Sequence, residues 1–364
     1  MKIVFTVTNQ LNFDQRMIRI CTSLQNAGYD ITLIGWQLKK APPLNQLVFQ
    51  QKRLPLIFQK GKLRYIETNI RLFFFLLFFK CDVIGAIDLD TILPCYFVSK
   101  IRNKKIVYDA HEYFTELEEV VRRPMIKKTW LAIEKYCVPK IKQGYTISQS
   151  YADLFEKNYA VKYQLIRNIA LLKPIPAIAK KERIVLYQGA VNEGRGLFQL
   201  VEAMKNVDAK LIVCGNGDVF NDIEKYIVAN NLTSKIELKG FIHPAELQKI
   251  TPTAMVGITL FETNGLSNYY SLANRFFDYL HGGIPQLCNQ YPEYIAINKE
   301  HEIAKLIDNL QPATIAHALN EMLDNATYYQ SLVNNCLAAR EIYNWQNEEK
   351  KLIAFYEKLC SSSY

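Results

Sequence analysis

The strongest constraint on the fold is an alternation of short apolar segments with longer amphipathic segments, which runs through the first half of the chain and then starts again. In the first half it predicts strands at 2–7, 30–36, 82–87, 104–110 and 144–148, with helices at 15–27, 65–79, 91–101 and 149–158. In the second half it predicts strands at 183–190, 210–215, 235–241, 254–261 and 284–289, with helices at 197–204, 219–230, 246–251, 272–280, 312–342 and 344–359. Strands and helices that alternate at this spacing form parallel sheets with right-handed crossovers. The sequence therefore predicts an α/β protein with two parallel-sheet units.

A proline-containing segment separates the two halves. Residues 171–181 combine two prolines with small and basic residues, which is typical of a linker. A chain of 364 residues is also too long for one ordinary hydrophobic core. We expect one domain over 1–172 and a second over 173–345, with the ligand site in the cleft between them.

Charge is divided unevenly between the halves. The whole chain has 44 Lys and Arg against 35 Asp and Glu, a net charge of +9. Residues 1–175 hold 27 basic and 14 acidic side chains, whereas residues 176–364 hold 17 and 21. This asymmetry predicts an anionic partner for the first half alone: nucleic acid, a membrane surface or an acidic substrate. We expect no nucleic acid, because no RNP-like, zinc or helix-turn-helix pattern accompanies the positive charge.

The cysteines and the most apolar segment bear on cellular location. No two of the eight cysteines lie within four residues of each other, so the sequence has no C-x-x-C zinc or redox spacing. The first residues enter a strand without the pattern of a signal peptide, and we expect a cytoplasmic protein. The apolar run 72–79 is far shorter than the roughly 20 residues that span a bilayer. It predicts a buried helix face that packs on a sheet.

A glycine-rich segment, GAVNEGRG at 189–196, follows a predicted strand directly and precedes a helix. Gly189, Gly194 and Gly196 allow close approach of the backbone, while Arg195 and the start of the helix supply positive potential for a phosphate. The segment is neither a Walker loop nor a GxGxxG motif. The pattern alone therefore fits a phosphate-binding loop or a plain strand–helix turn.

Arg275 and Asp278 are three residues apart and share one face of a predicted helix. A cation and a carboxylate on one face suit the pyrophosphate and the ribose of a nucleotide. The alternative is an ion pair on a solvated helix surface.

His111 follows the predicted strand 104–110, between the carboxylates of Asp109 and Glu112. Polar residues at the carboxyl ends of parallel strands line the ligand crevice of open α/β sheets. A histidine at such a place is either functional or structural, and the pattern leaves both open.

In this order, the three segments resemble the retaining family-4 glycosyltransferases of the GT-B fold, especially bacterial enzymes that build cell-surface polysaccharides. The resemblance extends over nearly the whole chain, through the segments 12–16, 27–29, 86–90, 108–114, 146–148, 167–168, 188–196, 215–217, 271–285 and 343–345. It implies two Rossmann-like domains that face each other across a cleft. It also implies that a last helix, about 346–364, packs back onto the first domain.

The resemblance further implies a nucleotide-sugar donor, UDP- or GDP-linked, that binds mainly to the second half. Arg195 and Arg275 match the two cations that neutralise the diphosphate leaving group, so the family needs neither a metal ion nor another cofactor. Asp278 matches the carboxylate that holds the ribose, and His111 matches the histidine near the reacting carbon of the donor sugar. The implied donor-binding residues are Gly189, Gly194, Gly196, Gly215, Gly217, Asn268, Tyr270, Ser271 and Asn274.

Three positions depart from the family pattern. Tyr270 and Asp278 stand where the family has a Glu-x7-Glu pair, so the first carboxylate is missing and the second side chain is one methylene shorter. Ala190 stands where an arginine often follows the glycine of the first strand. The two remaining arginines, Arg195 and Arg275, would therefore carry the phosphate charge alone.

The basic segment 122–142 contains Met125, Trp130 and Tyr136 among its lysines and arginines. It predicts either a helix on an anionic membrane surface or a solvated helix that packs on its own domain. The resemblance favours the membrane, because acceptors in this family are often lipid-linked sugars. We therefore expect a cytoplasmic enzyme that is peripheral on the inner face of the plasma membrane.

The resemblance thus implies a metal-independent, retaining hexosyltransferase. It would move a sugar from a nucleotide-diphosphate sugar to a lipid-linked or glycan acceptor in the synthesis of cell-surface polysaccharide or glycoconjugate. Two alternatives stay open. One is a sugar-nucleotide epimerase of the same fold; the other is a degenerate, non-catalytic homologue that acts as a binding partner, suggested by Tyr270 and Ala190.

Overall fold

A computed structural model describes residues 1–175, 182–263 and 265–361. The chain divides into two compact units, the first made of Met1–Asn168 and Glu348–Tyr364 and the second of Ile169–Asn347. The first division therefore falls at Asn168, a few residues before the predicted boundary at 172. Of the predicted linker 171–181, the part 176–181 lies outside the described residues.

The first unit is built on a seven-stranded parallel sheet with the order β3-β2-β1-β4-β5-β6-β7. Its strands are β1 (Lys2–Thr6), β2 (Asp30–Gln37), β3 (Gln50–Pro55), β4 (Val83–Ile87), β5 (Lys105–Ala110), β6 (Gly144–Thr146) and β7 (Gln164–Leu165). Its helices are α1 (Gln15–Asn26), α2 (Lys62–Phe78), α3 (Ile92–Ile101), α4 (Glu118–Val121), α5 (Pro124–Cys137) and α6 (Gln149–Tyr159). Strands β2 and β3 are added on one side of β1, and strands β4 to β7 are added on the other side. The gap between β1 and β4 is therefore the topological switch point, where open α/β sheets bind ligands.

The second unit repeats this design with a six-stranded parallel sheet in the order β10-β9-β8-β11-β12-β13. Its strands are β8 (Ile184–Gln188), β9 (Lys210–Cys214), β10 (Ile236–Gly240), β11 (Val256–Thr259), β12 (Gln286–Asn289) and β13 (Ala304–Ile307). Its helices are α7 (Leu197–Ala203), α8 (Phe220–Ala229), α9 (Pro244–Ile250), α10 (Leu266–Tyr270), α11 (Asn274–His281), α12 (Pro292–Glu300), α13 (Pro312–Asp324) and α14 (Ala326–Ala339). Here the switch point lies between β8 and β11.

The last helix, α15 (Trp345–Ser361), begins in the second unit, and its residues from Glu348 onward belong to the first. Its Tyr356 packs edge-on against Phe5 of β1, with ring centroids 6.1 Å apart, and against Tyr145 of β6 at 6.4 Å. The Lys105 ammonium donates to the carbonyl of Leu359 at 2.6 Å. These contacts fix the end of the chain on the first unit.

The predicted α/β class with two parallel Rossmann-like sheets is confirmed. The elements β3, β7, β13, α4, α10 and α12 were not predicted from the sequence. Strand β3 reads QQKRLP, a polar edge strand without an apolar alternation, and β7 has only two residues. Periodicity cannot mark such segments, because they bury too little apolar surface to show a pattern.

Helix α2 contains the apolar run 72–79 and only partly fits the expectation of a buried helix. Thr68, Leu72 and Leu76 form its buried face, whereas several large apolar residues on the opposite face are exposed. In the part of the chain that the structure describes, no helix is both long enough and apolar enough to cross a membrane.

Candidate functional site

In the first unit, the carboxyl ends of the neighbouring strands β4 and β5 bring His111 and Asp88 together. The backbone N–H of His111 donates to Oδ1 of Asp88 at 2.8 Å, and the ring Nδ1 lies 3.5 Å from Oδ2 of the same carboxylate. The other ring nitrogen, Nε2, lies 2.9 Å from Oδ2 of Asp109. Both nitrogens of the imidazole therefore face carboxylates.

Asp109 is completely buried and is held from its other side by α1. Arg16 donates from Nη2 to Oδ1 of Asp109 at 2.9 Å and from Nη1 to the carbonyl of Ile166 at 3.2 Å. The four groups form a continuous chain, Arg16–Asp109–His111–Asp88. Asp88 also has a φ of 56°, a left-handed backbone conformation that residues other than glycine seldom adopt.

The protonation states follow from this alternation of charges. Burial alone would lower the pKa of His111, but Asp109 and Asp88 raise it to about 9. Burial raises the pKa of Asp109, yet Arg16 and His111 outweigh it and keep this carboxyl below its ordinary value. Burial raises the pKa of Asp88 to about 7, although His111 opposes the rise. At neutral pH His111 is therefore an imidazolium that can donate a hydrogen bond, not a general base.

In the second unit, the two arginines singled out in the sequence meet at one aromatic ring. The guanidinium carbon of Arg275 lies 4.5 Å from the centroid of Phe261, and that of Arg195 lies 4.7 Å from the same centroid. Arg275 is only 8% exposed. It donates to the hydroxyl of Tyr187 and to the carbonyl of Leu260, each at 3.1 Å. The fold thus concentrates two positive charges just beyond the end of β11.

Gly189 makes room for one of these arginines. Its φ is 127°, and a Cβ built on it would lie 3.3 Å from Nη1 of Arg275. Gly194 and Gly196 also have a positive φ, 78° and 64°. The carbonyl of Gly194 accepts from the backbone N–H of Glu262 at 2.9 Å, which ties the glycine-rich loop to the segment that carries Phe261.

Gly215 and Gly217 have a packing reason of their own. A Cβ on Gly215 would lie 1.8 Å from the carbonyl oxygen of Gly189, and one on Gly217 would lie 2.3 Å from that of Val191. The loop after β9 therefore presses against the loop after β8. A role of these two glycines in donor binding stays a prediction.

Asp278 lies one helical turn from Arg275 on α11 and contacts Gln188, the last residue of β8. Its Oδ2 accepts from Nε2 of Gln188 at 3.1 Å, and Oε1 of Gln188 accepts from the hydroxyl of Thr251 at 2.8 Å. The three residues line a cavity of about 300 Å³ together with Ala170, Leu171, Lys173, Pro174, Ile175, Pro244, Ala245, Leu247, Gln248, Lys249, Pro252, His281 and Gly282. Arg275 and Asp278 thus contact the successive residues Gly189 and Gln188.

The predicted helix over 272–280 begins later than expected. Ser271 and Ala273 have extended backbones that separate α10 from α11. Tyr270 and Asp278 therefore do not share one continuous helix. Asn268 accepts from the hydroxyl of Ser271 at 3.0 Å through its carbonyl, Tyr270 packs on Tyr269 at 4.8 Å, and Asn274 is an exposed residue at the start of α11.

Several residues that build these sites were not predicted from the sequence. Arg16 and Asp88 lie in segments that carried the family resemblance, but no role was predicted for them. Their signal is position, because Asp88 is the first polar residue after an apolar strand. Phe261 gave no signal, since an apolar residue at a strand end looks like core. Among the described residues, no group of three or more His, Cys, Asp or Glu side chains is arranged to hold a metal ion.

Solved structures with the same fold include several sugar-processing proteins. Sucrose-phosphate synthase from Thermosynechococcus elongatus superposes with a TM-score of 0.86 at 15% identity, over 100% of both chains. Anabaena HepE, solved with UDP, gives 0.76 at 13% identity, again over 100% of both chains. WaaG, a glycosyltransferase involved in lipopolysaccharide biosynthesis, gives 0.74 at 13% identity, over 96% of this chain and 98% of its own. These similarities confirm the GT-B fold.

Part of the chain is also similar in sequence to known glycosyltransferases. An uncharacterized glycosyltransferase from Methanocaldococcus jannaschii is 23% identical over 184 residues, which cover 48% of this chain and 45% of that relative. The chain thus aligns with less than half of the relative's length. Residues 168–337 match the model of the family "Glycosyl transferases group 1". The match covers less than half of the chain and shows that the second unit is similar to this family.

Proposed function

We propose that this protein is a glycosyltransferase that moves a sugar from a nucleoside-diphosphate sugar to a glycan or lipid-linked acceptor. The observation that carries the proposal is the convergence of Arg195 and Arg275 on Phe261. Two guanidinium groups beside one ring concentrate positive charge in a partly dry site, and an anion that binds there is attracted to both. A diphosphate carries the required charge and offers oxygens that guanidinium groups recognise in pairs.

The cavity that Asp278 lines, one helical turn along α11 from Arg275, suits the rest of a nucleotide. Asp278 lines it and offers carboxylate oxygens to the hydroxyls of a ribose, while Gln188 orients that carboxylate. Among proteins of the same fold, HepE has been solved with UDP and with UDP and glucose, which supports a uridine donor as the first to test. A guanosine donor is the second.

The chemistry that we propose is retaining transfer without a metal ion. The bond between C1 of the sugar and the diphosphate oxygen breaks, and Arg195 and Arg275 stabilise the negative charge on the leaving group. The acceptor oxygen attacks C1 from the same face, and its proton passes to a phosphate oxygen of the leaving diphosphate. His111 supplies a fixed positive charge beside the reacting sugar, in keeping with its raised pKa of about 9.

We further propose a cytoplasmic, membrane-peripheral role in the synthesis of cell-surface glycans. The similarity to WaaG supports this setting. In this proposal the basic segment 122–142 attracts the anionic membrane surface through its positive charge, and it inserts no aromatic side chain into the bilayer. Its Trp130 packs within the first unit, 4.9 Å from the ring of Phe114 and 6.4 Å from that of Tyr65.

The experiment that tests the donor site is calorimetric titration with UDP, GDP and their sugars. We expect one nucleotide to bind, and Arg195→Ala to weaken binding by roughly 10- to 100-fold, the effect of losing a hydrogen bond to a charged group. Arg183→Ala is the matched control, because Arg183 pairs with Asp324 on the surface of the same unit.

The two alternatives predict different results. No binding of any nucleotide would favour the non-catalytic homologue. Conversion of the donor sugar without any acceptor would favour the epimerase. Transfer to an acceptor that stops with Arg275→Ala is the outcome that our proposal requires.

A further inference from the structure

Helix α2 is apolar on two opposite faces. Its inner face, with Leu72 and Leu76, is buried against its own unit. Leu63, Ile66, Ile70, Phe74 and Phe78 recur every three or four residues on the other side, and all five are exposed. Phe78 is 80% exposed and Phe74 is 57% exposed. A helix with one apolar stripe buries that stripe on its own domain. A helix that is apolar on both sides leaves one side exposed, and such a surface is typical of a contact with an apolar partner outside the domain.

A short loop widens this outer face at the start of the helix. The carboxylate of Glu67 accepts from the backbone N–H groups of Ile57 and Phe58 at 2.9–3.0 Å and pairs with Arg71 at 2.7 Å. The contacts hold the exposed side chains of Ile57 and Phe58 beside α2. They also engage the single acidic side chain of the helix, so that α2 presents apolar residues and cations.

Helix α3 extends the same face at the other end. Arg102, directly after α3, donates to the carbonyl of Leu76 at 2.7 Å and to that of Phe79 at the end of α2. The two helix ends therefore lie side by side, and the exposed Ile101 of α3 lies next to the exposed end of α2. We call Ile57, Phe58, Leu63, Ile66, Ile70, Phe74, Phe78 and Ile101 the outer apolar face.

The net positive charge around the outer apolar face indicates which kind of partner it contacts. Residues 52–105, which contain the outer apolar face, hold 11 Lys and Arg against 4 Asp and Glu. Of these four acids, Glu67 is paired with Arg71, and Asp88 and Asp90 belong to the site at the strand ends. Exposed cations such as Lys60, Lys62 and Lys100 border the face. A second copy of this chain would bring the same positive charge and be repelled, whereas an anionic lipid surface would be attracted.

We propose that the outer apolar face docks the protein on an anionic phospholipid bilayer. Helix α2, about 25 Å long from its 17 residues, lies in the plane of the membrane surface. Its phenylalanines enter the boundary between headgroups and acyl chains, and the flanking lysines and arginines contact the lipid phosphates. This inference rests on the proposed membrane-peripheral setting, for which it names the contacting surface, and it does not depend on the transfer reaction.

The test is sedimentation of the full chain with vesicles of phosphatidylcholine alone and of phosphatidylcholine mixed with phosphatidylglycerol. We expect binding to the mixed vesicles that weakens as salt is added. The double variant Phe74→Gln, Phe78→Gln should lower the partition coefficient at least about tenfold, because it removes two inserted rings. Its melting curve should match that of the parent, since both side chains are exposed.

Two control variants locate the surface. Met125→Gln changes a residue of the basic segment on α5 that is 85% exposed, and Ile342→Gln changes an exposed apolar residue of the second unit. Both should bind vesicles as the parent does.

Equal binding by the parent and the double variant would overturn the proposal. Failure of the parent protein to bind either type of vesicle would also overturn it. So would analytical ultracentrifugation that shows a dimer of the parent and a monomer of the double variant. Nucleotide titration of the double variant, expected to be unchanged, keeps this result separate from the test of transferase function.

Discussion

The Nε2 atom of His111 lies 2.9 Å from Oδ2 of Asp109, and no other charged contact of His111 is as short. The second oxygen of Asp109 is occupied by Arg16, also at 2.9 Å. One buried carboxylate therefore fixes the imidazole at the end of β5 and is itself fixed by α1. Asp109 therefore positions the ring of His111.

Replacing Asp109 with asparagine should therefore destabilise the first unit. The change leaves Arg16, which is 3% exposed, without its counter-charge, and breaking such a buried pair costs about 3–5 kcal/mol. The pKa of His111 should also fall, because Asp109 contributes most to raising it. Urea denaturation measures the first effect, and NMR titration of the imidazole measures the second. Asp153→Asn, at an exposed aspartate of α6, is the control; similar effects of both variants would contradict the positioning role.

The stability of the protein should fall as pH rises from 7.5 to 9. The pKa of His111 is about 9 in the folded chain, against an ordinary value of 6.5. The folded state therefore keeps a proton that the unfolded chain has already released. The stabilisation is complete below pH 6.5 and is lost as pH rises through 9, with a slope of at most about 1.4 kcal/mol per pH unit. Asp88 and Asp90, with pKa values of about 7, titrate mainly below this window.

Urea denaturation at a series of pH values measures this slope. The variant His111→Gln should make the slope shallower between pH 7.5 and 9, and the buried thiols of Cys21 and Cys288, whose pKa burial raises, keep part of it. His317→Gln, at an exposed histidine, should leave the slope unchanged. A slope as steep in His111→Gln as in the parent would mean that His111 does not hold this proton.

The sequence predicted the sheet strands best where both faces are buried. Strands such as β1 and β4 read as continuous apolar runs, so their burial and parallel pairing could be inferred. The same property misled the interpretation of α2. A run such as LFFFLLFF contains no polar residue to mark a solvent side, so the pattern could not show that one apolar face is exposed.

The candidate site was predictable only in part. Family resemblance paired Arg195 with Arg275, and the structure brings both to Phe261. It could not reveal the break between α10 and α11, because the extended residues Ser271 and Ala273 have no special side-chain chemistry. It also gave no role to Asp88, whose contact with His111 depends on the pairing of two strands far apart in sequence.

Two glycines offer a test of the contact between the loops after β8 and β9. Gly215→Ala should cost about 3 kcal/mol or more, because the new Cβ meets the carbonyl oxygen of Gly189 at 1.8 Å in a backbone with a φ of 155°. Gly240→Ala is the matched control. Gly240 also has a positive φ, 65°, but a Cβ there meets nothing within 4 Å, so only the backbone strain of about 1–2 kcal/mol applies. Equal melting temperatures of the two variants would show that the loops separate without cost.

Phe261→Leu should weaken nucleotide binding more than it weakens the fold. Both Arg195 and Arg275 rest on this ring, and each cation–π contact is worth about 0.5–2 kcal/mol. Without the ring, the two guanidinium groups lose their shared support, and affinity for the nucleotide that the parent binds should fall roughly tenfold. Leucine keeps most of the apolar volume, so stability should fall by only about 1 kcal/mol. Phe277→Leu separates the two effects, because Phe277 is buried on the same helix as Arg275 and packs on Tyr343. It should lose similar stability and keep its nucleotide affinity, and equal affinities of the two variants would remove Phe261 from the donor site.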